Sequence, residues 1–183
     1  MSEPLSWIFA ALFVLVAIAW YLSYSAARLD RLHVRLTGTL AALDAQLVRR
    51  AEASVELANS GLLDGATALI LAGAAAQTLE TSQTAGEARE IVENDLTDAL
   101  DIALAPDVVD GLLARGDLGE EYLARLTSTC TRVQLARRFH NDAVTDVRRV
   151  RRTWVVRVFR LAGHTPMPAT VEFNDELPAH LVT

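Results

Sequence analysis

The chain has 183 residues, 51% of them apolar, with a mean hydropathy of +0.23 and a net charge of −6. That length admits one ordinary domain with an appendage and excludes a large multidomain enzyme. All 17 basic residues are Arg, and the single cysteine excludes an intramolecular disulfide framework and any multi-Cys zinc or iron–sulfur site.

Residues 1–4, expected as a short outer N-terminus, precede an uncharged run from Leu5 to Ala27, whose heart reads WIFAALFVLVAIAWYL. A helix of roughly 20 apolar residues crosses a bilayer core of ~30 Å, so this run suffices for one transmembrane helix. Trp7 stands near one end and Trp20, Tyr21 and Tyr24 near the other, where amphipathic rings suit the headgroup level. A cleaved signal peptide would need a basic start, yet Glu3 is the only charged side chain before the run. Arg28, Arg31 and Arg35 follow it, and arginines beside a span favour the cytoplasmic side. The expectation is a single pass through the cell (inner or plasma) membrane, with the N-terminus outside and residues 28–183 in the cytoplasm.

Beyond the span, proline is absent up to Pro106 and again from Asp107 to Thr165, which spares most of the chain its strongest helix breaker. Leu29, Leu32, Leu36, Leu40, Leu43, Leu47 and Ala51 recur at steps of three and four. They predict one helix continuous with the span, ending near Asn59, with Arg49 and Arg50 mostly off its apolar stripe. A second helix is expected over about 62–81, turning Leu63, Ala66, Leu69, Ile70, Gly73, Ala74 and Gln77 inward. Its Ala-Gly-Ala-Ala-Ala stretch would let a neighbouring backbone come close. A third, acidic helix over about 84–104 points Ile91, Leu96, Leu100 and Leu104 inward, and Pro106 ends it. A Gly-punctuated connection with room for one short helix leads to a fourth helix over about 120–152. There Leu123, Leu126, Cys130, Val133, Arg137, His140, Val144 and Val147 form the inward stripe.

The fold class is therefore all-α. A single transmembrane helix (5–27) runs into an antiparallel up-down-up-down four-helix bundle (28–160), and a tail (161–183) with Pro166, Pro168 and Pro178 is extended, either packed on the bundle or trailing from it. Charge divides sharply along the chain. Residues 61–130 hold thirteen acids and three Arg, whereas residues 131–160 hold two acids and nine Arg. Antiparallel return of the fourth helix brings Arg148, Arg149, Arg151, Arg152, Trp154, Arg157 and Arg160 toward the headgroups as a lipid-facing set. Nucleic acid is the weaker alternative for the same Arg, since the chain is acidic overall and no reading motif accompanies them.

The segment Leu135-Ala136-Arg137-Arg138-Phe139-His140-Asn141-Asp142-Ala143-Val144 resembles the signature of the LemA family, and Asp44-Ala45-Gln46-Leu47-Val48-Arg49-Arg50-Ala51 resembles that family's motif on its first long helix. Phe159 to Gly163 and Val171-Glu172-Phe173 are similar to the tails of its actinobacterial-type members. The resemblance implies one membrane helix followed by a cytoplasmic helical bundle. It marks Asp44, Arg49, Arg50, Arg137, Arg138, Asn141 and Asp142 as a structural polar network. His140 replaces the family's usual Tyr, and Ala51 to Glu56 departs from its usual continuation. If residue i on the first helix faces about 180 − i on the fourth, Arg137 meets Asp44, and a buried pair between them would fix helix register.

No catalytic, cofactor or metal site is called for. Asp30-x-x-His33 is a lone echo of the Glu-x-x-His motifs that carboxylate-bridged metal bundles carry twice. His140 reads as an interhelical His, and Cys130 as a small hydrophobe on an apolar stripe. Gly-rich phosphate loops, Gly-x-Ser-x-Gly and His-Glu-x-x-His do not occur. The expected function is a non-catalytic scaffold or adaptor that works with a protein partner or a second copy of the chain. An enzyme is the last of the alternatives.

Overall fold

Leu, Ala and Val dominate the first third of the chain, with no proline after Pro4, so nothing interrupts i→i−4 hydrogen bonding there. In the computed structural model, which describes residues 3–83, 86–163, 165–177 and 181, this stretch is one helix, α1 (Glu3–Asn59). The others are α2 (Gly65–Glu80), α3 (Glu87–Ala103), α4 (Pro106–Leu113), α5 (Asp117–Arg151) and α6 (Trp154–Val158), with a 3-10 turn at Thr81–Gln83. Among the described residues there is no strand. Residue 84, the expected start of the third helix, and Pro178 lie outside the described residues.

Local chemistry sets the boundaries. Asp64 caps α2, its Oδ1 accepting from the amides of Ala66 (3.0 Å) and Thr67 (3.1 Å). The Thr67 hydroxyl first, and then these amide bonds, stabilise the carboxylate and hold its pKa below the ordinary value. Pro106 opens α4 at its first turn, where a missing N–H costs nothing, so it starts a helix as well as ending the one before. Gly116, at φ 71°, makes the turn into α5. Gly119 serves a different need. A Cβ there would sit 1.9 Å from the Leu112 carbonyl oxygen, so α5 approaches the end of α4 as only glycine allows.

The chain divides into two compact units. One comprises Met1–Gly38 with Asp142–Ala169, the other Thr39–Asn141 with Thr170–Thr183, and α1 and α5 each contribute to both. In the second unit the core draws Ala51 and Leu57 from α1, Leu71 and Ala75 from α2, Leu96 and Leu100 from α3, Val109 and Leu112 from α4, and Leu123 and Leu126 from α5. A smaller cluster joins Leu43, Leu47, Val133 and Phe173. Thr39 lies beside His140, and Glu56 is ion-paired with Arg125 (2.6 Å), so α1 and α5 run in opposite directions there. The first unit has its own small core of Leu29, Val150 and Val156, and Arg35 pairs with Asp146 at 3.3 Å.

Helix phase agrees with the periodicity at most positions of α1 and α5, although Leu40 is exposed and Arg50 is buried, and departs from it elsewhere. In α2 the buried residues are Leu71, Ala75 and Thr78, whereas Leu69 is 75% exposed and Ile70 is exposed as well. Gly73 is exposed and has nothing within 4 Å of a Cβ position, so no backbone comes close there. The helix is apolar on nearly every side, and its sequence gave no polar face to set the phase. In α3, Ile91 points outward while Arg89, Glu93 and Thr97 are buried beside Leu96 and Leu100.

Candidate functional site: a polar groove holding the tail

Arg50 lies one residue before the apolar Ala51, and in α1 that places it inside the second unit, 2% exposed. A buried guanidinium requires partners, and α3 supplies them on consecutive turns. Arg50 Nη2 donates to Glu93 Oε2 (2.6 Å) and to the Glu93 carbonyl (3.2 Å), and Nη1 donates to Thr97 Oγ1 (3.2 Å). Arg89 brings Nη2 to 2.8 Å from Glu93 Oε1, an ion-pair distance whose alignment falls short of a hydrogen bond, and its Nη1 donates to the Thr78 carbonyl. Glu93, fully buried, thus sits between two arginines. This corrects the expectation that Arg50 lies off the inward stripe.

The second part of the site is the tail, whose residues 165–177 form neither helix nor strand. Asn141 mimics a strand neighbour: its Oδ1 accepts from the Val171 amide (2.9 Å) and its Nδ2 donates to the Val171 carbonyl (3.1 Å). On the α3 side, Glu90 Oε1 accepts from the Glu172 amide (3.0 Å) and Asn94 Oδ1 from the Asn174 amide (2.7 Å). Thr97 Oγ1 donates to the Asn174 carbonyl and Gln134 Nε2 to the Asp175 carbonyl. Alternation then turns Phe173 and Asp175 inward and leaves Glu172 and Asn174 exposed. The Phe173 ring lies between two cations, 5.8 Å from the Arg50 guanidinium carbon and 5.5 Å from that of Arg137.

Arg137 forms a two-pronged pair with Asp175, Nε to Oδ2 at 2.7 Å and Nη2 to Oδ1 at 2.8 Å, with Glu172 farther off at 3.7 Å. The hydrogen-bonded carboxylate raises the Arg137 pKa against the pull of desolvation. Its carboxylate partner is therefore the tail's Asp175, which corrects the expected pairing with Asp44. Register placed Asp44 level with the right turn, but no helical register rule reaches a tail some forty residues on. Asp44 is half-buried and acts on His140 instead. Burial lowers the His140 pKa, the Asp44 carboxylate opposes that shift, and Nδ1 lies 3.4 Å from Thr39 Oγ1. Cys130 is buried nearby; desolvation raises its thiol pKa, with Arg50 pulling down and Asp175 pushing up.

Of the residues marked by family resemblance, the structure gathers Arg50, Arg137 and Asn141 around the tail and leaves Arg49, Arg138 and Asp142 exposed. Arg89, Glu93, Asn94 and Thr97 are not marked by apolar periodicity, although Arg89, Glu93 and Thr97 recur at intervals of four along α3. Phe173 and Asp175 are not marked by it either. Their signal was the alternation of Val171, Phe173 and Asp175 in a proline-flanked segment. Among the described residues no group of three His, Cys, Asp or Glu side chains is placed to hold a metal ion.

In the first unit, Arg148 Nε donates to the Pro168 carbonyl (2.8 Å), and Arg151 donates to the carbonyls of Pro166 (2.7 Å) and Thr165 (2.5 Å). These two members of the expected lipid-facing set hold the start of the tail. Arg149 lies 3.9 Å from Asp146, and Arg152, Trp154, Arg157 and Arg160 are exposed. The chain finds no match among protein-family models, curated proteins or solved structures.

Proposed function

We propose that this protein is a membrane-anchored, non-catalytic scaffold or adaptor of the LemA type. Its N-terminal helix crosses the cell membrane once, with the N-terminus outside and an up-down-up-down bundle in the cytoplasm. The observation that carries the reading is the apolar stretch of α1, whose best 18-residue window has a mean hydropathy of 2.0 and 0% of its residues buried within the protein. Large side chains such as Phe13 and Trp20 are left exposed over its length. Apolar surface loses roughly 25 cal/mol per Å² when it stays in water, so such a helix needs a lipid or protein environment. The three arginines after the stretch support the inward orientation.

The scaffold reading rests on how the buried and partly buried ionisable groups are used. Arg50, Arg89, Glu93, Arg137 and Asp175 pair with one another and fasten tail to helices. The surface available to a protein partner or a second copy is then the acidic face of α3, where Asp95, Asp98 and Asp101 are exposed beside Ile91 and Ile102. Photo-crosslinking amino acids at Asp98 and Asp101 of the full chain in native membranes test this. The reading predicts that both positions capture the same discrete protein, whether another copy or a different chain. Absence of any protein adduct at every exposed acidic position would contradict it.

A further inference from the structure

The first unit carries nine Arg against four acidic residues, and the sequence has no acid between Asp146 and Glu172. Much of that charge gathers around α6. Arg152, Arg157 and Arg160 line a cavity of about 320 Å³ together with Val156 and Met167, and among the described residues no carboxylate lines it. Arg151 also reaches this wall, but its guanidinium is held by the Thr165 and Pro166 carbonyls. Among the described residues no side chain forms an ion pair with Arg152, Arg157 or Arg160. Three like charges crowded together repel one another, and an anion in the cavity would relieve that repulsion.

Arg160 adds a backbone observation. It is the only non-glycine among the described residues with positive φ, at 50°. It follows α6 where the Leu161 amide closes back onto the Val156 carbonyl at 3.1 Å, a helix-ending turn in which glycine is the usual residue. An arginine there accepts backbone strain and sends a cation to the cavity wall.

The other side of α6 is apolar. Trp154, Val155 and Phe159 face Phe13, Ile18 and Tyr21 of α1 across a groove of about 370 Å³ lined almost wholly by carbon. Trp154 is 70% exposed, and Val158 and Phe159 are exposed with it. The groove thus runs along the same apolar stretch that is read as the membrane span, and α6 forms a wall of both groove and cavity. A soluble anion would use only the cavity, and a nucleic acid has nothing to place in the groove. A phospholipid fits both, with its phosphate among the arginines and an acyl chain along α1.

We propose that α6 and its flanks form a binding site for one anionic phospholipid, its headgroup phosphate held by Arg152, Arg157 and Arg160 and an acyl chain lying in the groove between Trp154, Phe159 and α1. This rests on α1 being a membrane span. The test uses the full chain in lipid nanodiscs, with Trp7 and Trp20 replaced by Phe so that Trp154 is the only tryptophan. Chain-brominated phosphatidylglycerol, diluted in phosphatidylcholine, is predicted to quench Trp154 with a constant about fivefold larger than brominated phosphatidylcholine at the same mole fraction. In the R152Q/R157Q/R160Q variant the two lipids should quench alike, and added inorganic phosphate should leave the wild-type preference intact.

Equal quenching in the wild type would overturn the site, as would loss of the preference on adding inorganic phosphate, which marks a soluble-anion pocket. A labelled DNA duplex that binds in purely zwitterionic nanodiscs and is released by the triple substitution would assign the arginines to nucleic acid and also overturn it. A companion protein with Trp20 alone separates the two readings. Trp20 quenched and Trp154 silent refutes the lipid site while the span stands; both silent refutes the span.

Discussion

Glu93 and His140 show how burial decides what a charged side chain does. Glu93 is the single carboxylate between Arg50 and Arg89, all three well buried, so its loss strands two cations in the interior. Breaking a buried pair in this way costs about 3–5 kcal/mol. Glu93→Gln is expected to lower unfolding stability by that amount, whereas Asp44→Asn, which removes a half-buried carboxylate, should cost less than about 1 kcal/mol. Chemical denaturation in detergent followed by circular dichroism compares the two; a larger loss at Asp44 would restore the sequence-based pairing with Arg137. His140 gives the pH dependence. Burial lowers its folded pKa, so the neutral ring belongs to the folded state and the unfolded chain takes up the proton more readily. Its contribution is full above the unfolded value of about 6.5 and is lost as pH falls from there toward the lower folded value. Between pH 7 and pH 5 the wild type should therefore lose more stability than His140→Asn, measured as the change in Tm of each protein.

At the scale of elements, the two long helices were legible and the pieces between and after them less so. The three–four spacing set the inward faces of α1 and α5 because each carries enough polar residues to mark its outer side. Leu43, Leu47, Val133 and Val144 are all buried as expected. The phase of α2 was not legible, since GATALILAGAAAQTLE offers hydrophobic residues on nearly every side and tertiary packing alone selected Leu71, Ala75 and Thr78. The buried face of α3 was hidden for the opposite reason, because Arg89, Glu93 and Thr97 look like solvent-facing residues until partners from α1 and the tail meet them. The tail itself has no periodicity a helix could reveal, and its docking depends on side chains of α3 and α5 far away in sequence. The junction between α4 and α5 yields a prediction of opposite signs. Gly111→Ala adds a methyl to an open helical position and should stabilise by about 0.5–1 kcal/mol. Gly119→Ala drives a Cβ into the Leu112 carbonyl and should destabilise by about 1–3 kcal/mol. Thermal melts of the two variants check this, and equal shifts would deny the close approach.

For the molecule as a whole, the apolar excess and the net charge are each averages over unlike parts. Most of the hydrophobic surplus sits in an exposed stretch of α1, while the second unit has a buried core and buries charge in pairs, leaving Leu69, Ile91 and Ile102 exposed. The first unit gathers arginine next to that exposed stretch. On the proposed membrane reading both features are solvated together, with lipid tails around the apolar helix and an anionic leaflet facing the arginines. This arrangement requires the two ends of α1 to lie on opposite sides of a bilayer. The most direct measurement replaces Cys130 by Ala and then places one cysteine either at Ser2 or at the exposed Asp98, each labelled in intact cells with a membrane-impermeant maleimide. The Ser2→Cys protein should label in intact cells, and the Asp98→Cys protein only after lysis. Labelling of the Asp98 position before lysis, or of the Ser2 position only after it, would contradict the account.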